Sequence, residues 1–258
     1  MYFIHLIEPI VFKASLIVEK ALQLRQVKLS YKDDGSAQTN VDLAVEDFLK
    51  RELIGHLPGS TFLAEETGAG QPADYVWVID PIDGTANMIR GLPHACISVA
   101  LMQGQAVIAA VIYDLYAHQS WSTQQGFGLF LDRKPYKPYR IDNGDRSFYC
   151  AFVTSWLRQQ GSEQDMVRLS RCVGKPVTAR LYGSIALSLV YVANGSLDLA
   201  IMNNPAWWDV AAACLMIEQA GLYYVQKTFT KKGVKEMVLI AGNAELVEQV
   251  AQELFIEG

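Results

Sequence analysis

The chain has 258 residues, 51% hydrophobic and 19% charged, which is enough apolar material for a sizeable core and too much for a disordered segment. Its formal net charge of −5 argues against a non-specific nucleic-acid binder, which carries a basic face. It leaves room for an anionic small substrate held through a metal ion, because a bound cation inverts the local charge.

The first residues, MYFIHLIEPIVFKASL, lack a basic leader and carry Glu8 and Lys13 among apolar residues, so they make a poor signal peptide. Apolar side chains at 6, 7, 10, 11, 14, 17, 18, 21, 22 and 24 predict a helix over Leu6 to Val27. Pro9 fits such a helix only near its first turn. A polar loop, SYKDDGSAQTN, follows. Thr39 or Asn40 can cap a second helix with apolar residues at 41, 44, 45, 48, 49 and 53, ending before Pro58-Gly59. Tyr75 to Ile79 predicts a short buried strand. Ile97 to Met102 and Ala106 to Tyr113 flank Gln103-Gly104-Gln105 and predict a hairpin, so the apolar zone from Ala95 to Ile112 is not a membrane span. Ser120 to Thr123 and Gly128 to Leu131 continue the strands.

Around Lys134 to Gly144 the chain turns polar, and a lobe boundary is expected there, giving lobes 1–140 and 141–258. Beyond it, strands at Tyr149 to Thr154, Val177 to Leu181, Leu197 to Met202 and Val238 to Ala241 alternate with helices. The helices are Gln164 to Cys172, Ile185 to Ala193, Trp208 to Ala220 and Ala244 to Phe255. Two helices and an antiparallel sheet, followed by alternating elements, predict α/β packing. Cys96, Cys150, Cys172 and Cys214 have no C-x-x-C spacing and read as buried thiols of a reducing compartment. With no targeting segment apparent, the cytoplasm is expected.

Four acidic groups stand out: Asp42, Glu65-Glu66 in LAEETG, Asp80 and Asp83 in IDPIDGT, and Asp209 in WWDVAA. Three have ordinary explanations. Asp42 and Asp209 suit the first turns of their helices, and Glu65-Glu66 could be a solvated loop. Asp80 is different. It ends an apolar strand, where an unpaired anion is costly, and the next cationic side chain along the chain is Arg90. A divalent cation with oxygen ligands, such as Mg²⁺, removes that cost. Pro81 keeps Asp80 extended and Asp83 falls in the following turn, with the intervening carbonyl of Ile82 also available. Gly84 permits close backbone approach, so the N–H groups of Gly84 and Thr85 could hold a phosphate. The chemistry expected is metal-assisted phosphoryl transfer to water. A haloacid-dehalogenase reading fails, because Pro81 stands where the D-x-D-G-T nucleophile is needed.

At these residues the sequence resembles the inositol monophosphatase family of lithium-sensitive, Mg²⁺-dependent phosphatases. The resemblance runs from about Lys32 to Ala220 and rests on KDDGSAQTNVD, AEETG, WVIDPIDGTAN, GSIALSLVYVANGSLDLAI and WWDVAA in that order. It implies that Glu66, Asp80, the Ile82 carbonyl, Asp83 and Asp209 bind metal. It implies that Thr85, oriented by Asp42, helps activate water near Glu66. Gly84 and Thr85 would cradle phosphate beside Asp83, and Gly183 and Ser184 would line the alcohol's side. The fold implied is a layered αβαβα sandwich, with an antiparallel sheet in the first lobe and a mixed sheet in the second. The resemblance also implies a homodimer.

Inositol-specific members carry an acidic residue seven positions before the Asp of Trp-Asp. Here that substrate-side position is Met202, followed by Asn203-Asn204, and the aromatic expected after Gly-Thr-x-Asn is Met88. The metal site is therefore expected intact and the alcohol pocket altered, with little preference for inositol phosphates. Fructose-bisphosphatase, histidinol-phosphatase and nucleotide 3′-phosphatase specificities remain open. So does a catalytically silent member acting as a binding protein. His94 falls outside the chemistry and reads as structural.

Overall fold

A computed structural model describes residues 2–33, 35–138, 147–152, 162–231 and 234–254. Helix α1 (Phe3–Gln23) buries Ile4, Ile7, Ile10, Val11, Ala14 and Val18 along one face. It begins earlier than the sequence pattern suggests, so Pro9 lies inside it rather than in its first turn. The apolar stripe outweighs the lost backbone bond. The helix ends before Val27, where Arg25 takes φ 53° and Gln26 N–H donates to Ala21 O at 2.9 Å. After the short strands β1 (Leu29–Tyr31) and β2 (Ala37–Thr39) comes helix α2 (Asn40–His56). Thr39 caps it, and its capping box is completed by Asp42, whose Oδ2 accepts Thr39 N–H at 2.9 Å.

The larger sheet has eight strands in the order β10-β9-β8-β7-β6-β5-β3-β4. Its members are β3 (Thr61–Ala64), β4 (Gly68–Ala69), β5 (Tyr75–Asp83), β6 (Cys96–Gln103), β7 (Ala106–Asp114), β8 (Gln119–Gln124), β9 (Leu129–Leu131) and β10 (Lys134–Tyr136). The expected antiparallel arrangement needs one correction. β3 runs parallel to β5, because the chain first turns back as β4, antiparallel on the outer side of β3, and then crosses to β5. β5 also runs past Ile79. Its pairing with β6 shifts register between Asp80 and Asp83, a bulge at Pro81-Ile82. A short helix, α3 (Thr85–Arg90), follows at once.

The smaller sheet has five strands in the order β12-β11-β13-β15-β14. These are β11 (Phe148–Phe152), β12 (Val177–Arg180), β13 (Leu199–Asn203), β14 (Tyr223–Lys231) and β15 (Val234–Gly242). β11 is parallel to β12 and β13, while β15 is antiparallel to β13 and β14, so the sheet is mixed as expected. Its helices are α4 (Ser162–Val173), α5 (Ile185–Ala193), α6 (Trp207–Gln219) and α7 (Ala244–Leu254). The expected boundary at 140/141, the end of the strand drawn to Thr154 and the last residue of the helix drawn to Phe255 lie outside the described residues.

Side-chain alternation sets the layers. Trp77, Ile79, Ile97, Val99 and Leu101 of the larger sheet pack on α1 and α2. Val78, Ala100, Ala110 and Ile112 point the other way, to α5 and α6, which also cover Ala200 and Met202 of the smaller sheet. Leu199 and Ile201 face Leu169 of α4 and Val247 and Val250 of α7. The result is five layers, αβαβα. All four cysteines are free thiols, and three are buried. Among the described residues no helix is long and apolar enough to cross a membrane.

Candidate active site

The same alternation aims the acidic groups. Ala64 pairs with Ile79 on adjacent parallel strands, and both face the outer helices. Asp80, the next residue of β5, therefore turns to the inner face, and Glu65, the first residue after β3, is held beside β5 by its N–H to Ile79 O at 3.1 Å. Asp80 is fully buried, and its Oδ1 has no hydrogen-bond partner. Its pKa is pushed well up, first by burial and then by the charges of Glu65, Asp83 and Asp209.

This placement corrects the reading of the Glu-Glu pair. Glu65, not Glu66, acts on Asp80, Asp83, Asp209 and Asp42. Glu66 lies one residue further and turns back toward the hairpin of β1 and β2. Its carboxylate takes Lys32 Nζ at 3.1 Å and the amide of Gln38, while Lys32 reaches Glu65 at 2.6 Å. Burial raises the Glu66 pKa, and those two bonds oppose the rise. For Lys32, the two glutamates outweigh burial and hold its pKa above the ordinary value. The signal for Glu65 was the strand period, hidden because β3 is only four residues long.

Asp83 is also buried, though less completely than Asp80, and it is fully bonded. It accepts Ser184 Oγ–H at 2.6 Å, Ala186 N–H at 2.7 Å and Ile185 N–H at 3.2 Å, all at the start of α5. Burial raises its pKa to about 6 against these donors. Ser184 thus caps α5 and clamps Asp83; at 2% exposure it does not line an open alcohol pocket. Asp209 sits in the first turn of α6, where its Oδ2 accepts Ala206 N–H at 2.9 Å. Burial and then the charge of Asp83 bring its pKa to about 7.

Thr85 opens α3. Its Oγ lies 2.7 Å from Asp42 Oδ1 and 2.8 Å from the Ile82 carbonyl, so its one proton goes to either. The other Asp42 oxygen accepts from the Thr39 hydroxyl at 2.5 Å. Burial raises the Asp42 pKa against these bonds. Gly84 has φ 92°, and a Cβ there would stand 2.7 Å from His94 O, so only glycine fits. Gly183, at φ 76°, packs on Asn87, whose amide donates to His94 O at 2.8 Å and Tyr182 O at 2.7 Å. That amide ties the larger sheet's α3 to the chain entering α5.

The substrate-side expectation at Met202 meets a different placement. Met202 is fully buried in the inner core, because its strand alternation turns it to α5 and α6. Asn204 commits its carbonyl oxygen to Met237 N–H at 2.7 Å, while Asn203 Oδ1 is buried without a partner. His94 stacks on Tyr182 with ring centroids 4.5 Å apart, and burial lowers its pKa, as suits a structural aromatic.

The donor set suits a hard cation: carboxylates of Glu65, Asp80, Asp83 and Asp209 and the Ile82 carbonyl, with one buried carboxylate oxygen lacking any partner. Among the described residues no three of the His, Cys, Asp and Glu side chains are already gathered closely enough to hold a metal. Asp83 and Asp209 are turned to backbone donors, and Glu65 to Lys32.

The family model for the inositol monophosphatase family matches residues 3–257. An inositol-1-monophosphatase of Mesorhizobium japonicum is 30% identical over 224 residues, covering 86% of this chain and 84% of that protein. The Nus factor SuhB of Xylella fastidiosa is 30% identical over 227 residues, covering 85% and 82%. The crystal structure of the extragenic suppressor protein suhB from Bartonella henselae superposes with a TM-score of 0.83 at 24% identity, covering both chains fully (100% each), and so shares the fold. The chain belongs to the inositol monophosphatase family.

Proposed function

We propose that the chain is a Mg²⁺-dependent phosphomonoesterase acting on a small phosphorylated alcohol or sugar. The observation that carries this reading is Asp80 Oδ1, buried, partnerless and ringed by Glu65, Asp83 and Asp209. Burying a carboxylate among three others costs several kcal/mol unless positive charge joins them. Glu65, Asp80, Asp83, Asp209 and the Ile82 carbonyl would hold the ion. When bound, Mg²⁺ supplies a more acidic water and neutralises phosphate charge.

The remaining work falls to this chain's own groups. A Thr85 hydroxyl that donates to Asp42 keeps its lone pairs free to orient a water. Water oxygen bonds phosphorus, and its proton passes to Thr85 as Thr85 gives its own to Asp42; the ester P–O bond breaks, the departing alkoxide takes a proton from solvent water and leaves as the alcohol, and Asp42 returns its proton to solvent. The N–H groups of Gly84 and Thr85, at the opening of α3, face the anionic group. The alcohol is selected elsewhere, and the sequence has no carboxylate at 202 to bind a ring hydroxyl, which supports a substrate other than inositol phosphate. A chain of two lobes, 1–140 and 141–258, that pairs with a second copy of itself in the cytoplasm belongs to the same reading, and light scattering on the purified chain checks the assembly.

Phosphate release from a panel of phosphomonoesters, with and without Mg²⁺, tests the proposal. Mg²⁺-dependent turnover of at least one small ester is expected. Inositol 1-phosphate as by far the best substrate would count against the altered pocket. A second reading, a non-catalytic binding protein, is favoured by the relative named as a Nus factor. Silence across the panel, with Mg²⁺ bound, would shift the conclusion to it.

A further inference from the structure

Glu46 lies one helical turn after Asp42 on α2, so the helix presents both carboxylates on one side. Asp42 orients Thr85. Glu46, only 1% exposed, does something else. Its Oε2 accepts the backbone N–H of Glu66 at 2.8 Å, and its Oε1 accepts the Thr67 hydroxyl at 2.5 Å. Lys50 Nζ approaches Glu46 Oε1 at 3.3 Å and Thr67 Oγ at 3.0 Å.

These bonds hold the turn between β3 and β4. On the β5 side the turn is anchored by Glu65 N–H to Ile79 O at 3.1 Å. Glu65 therefore leaves β3 pinned on one side by β5 and, through its neighbour's N–H, on the other by α2. A charge-assisted bond to a backbone N–H is strong and directional. A plain helix ion pair with Lys50 would not require Glu46 to reach another element or to be buried.

We infer that Glu46 is a positioning residue that sets the Glu65 carboxylate beside Asp80, touching neither substrate nor ion. The inference rests on reading the acidic cluster as a Mg²⁺ site. It makes α2 the common mount for both halves of the site, the water-orienting half through Asp42 and the cation-holding half through Glu46.

Mg²⁺ binding to the full chain, measured by titration calorimetry without substrate, tests it alongside thermal melting. Glu46→Gln keeps the volume and removes the charge. It is expected to weaken Mg²⁺ binding roughly ten-fold or more, the usual effect of losing a group that orients a ligand. The Mg²⁺ concentration for half-maximal phosphate release should rise by a similar factor, with kcat at saturating Mg²⁺ changed far less. Lys50→Met should have a clearly smaller effect on Mg²⁺ affinity; an equal effect would reduce Glu46 to half of an ion pair and overturn the inference. Thr67→Val should weaken binding and Thr67→Ser restore it. This pair decides the question if Glu46→Gln fails to fold, and equal affinities in the two would overturn the role. Wild-type chain that binds no Mg²⁺ defeats the metal reading itself. Wild-type chain that binds Mg²⁺ no better than Glu46→Gln defeats only the positioning role.

Discussion

The end of β5 and the first turn of α5 bring opposite chemistry to one carboxylate. β5 supplies two buried acids three residues apart, Asp80 and Asp83. α5 supplies only neutral donors, one hydroxyl and two backbone N–H groups, and gives all of them to Asp83. Burial acts on both acids, yet Asp83 stays near 6 while Asp80 is driven well up. The difference is the donor set. A helix start offsets the cost of one buried charge, and the other is left for a positive partner.

The largest effect that could break this contrast comes from Asp83→Asn. Mg²⁺-dependent phosphate release should fall by roughly a thousand-fold or more, since a ligand charge and its share of transition-state stabilisation are lost. The thermal midpoint without Mg²⁺ should hold or rise, because one buried repulsion is gone. Full activity in this variant would refute the assignment. Next comes Ser184→Ala, which removes one of three donors and the cap of α5. A roughly ten-fold loss in kcat/KM and a melting point a few degrees lower are expected. Unchanged values for both would show that α5 does not tune Asp83.

The smallest effect is one of pH. Asp83 and Asp209 hold protons to about 6 and about 7 when folded, against an ordinary value of 3.8. The folded chain therefore binds more protons than the unfolded chain between these values. The stability they contribute is full below about pH 4 and is lost as pH rises through the folded pKa values. On the proposed reading a bound Mg²⁺ would relieve the resulting repulsion, so its stabilising effect in melting experiments should be greater near pH 8 than near pH 5. The reverse order would contradict the raised pKa values.

Much of this was legible in the sequence where the signal is local. Helix α2 and its Thr39 cap, the hairpin of β6 and β7, and the Asp80-Asp83 spacing all follow from neighbouring residues. The Glu65-Glu66 choice was not. It depends on the pairing of Ala64 with Ile79, a contact between strands that a four-residue segment does not announce. Glu46 was missed for a similar reason. Its partners lie 20 and 21 residues away, and on the helix it looks like an ordinary surface glutamate. Ser184 stands directly before the helix expected from Ile185, but which way its hydroxyl turns is set by Asp83, far off in sequence. At Met202 the residue was noted, but its burial follows from a strand lying between two helical layers.

The joint between the two sheets has a further consequence. Asn87 ties them with one neutral amide shared between His94 O and Tyr182 O. By contrast, the hairpin that carries Lys32 is held to Glu65 and Glu66 by charge, with Lys32 side-chain exposure at 22%. Ionic strength acts on the second connection and hardly on the first. In concentrated salt the hairpin loosens its hold on the acidic cluster while the joint through Asn87 keeps its shape.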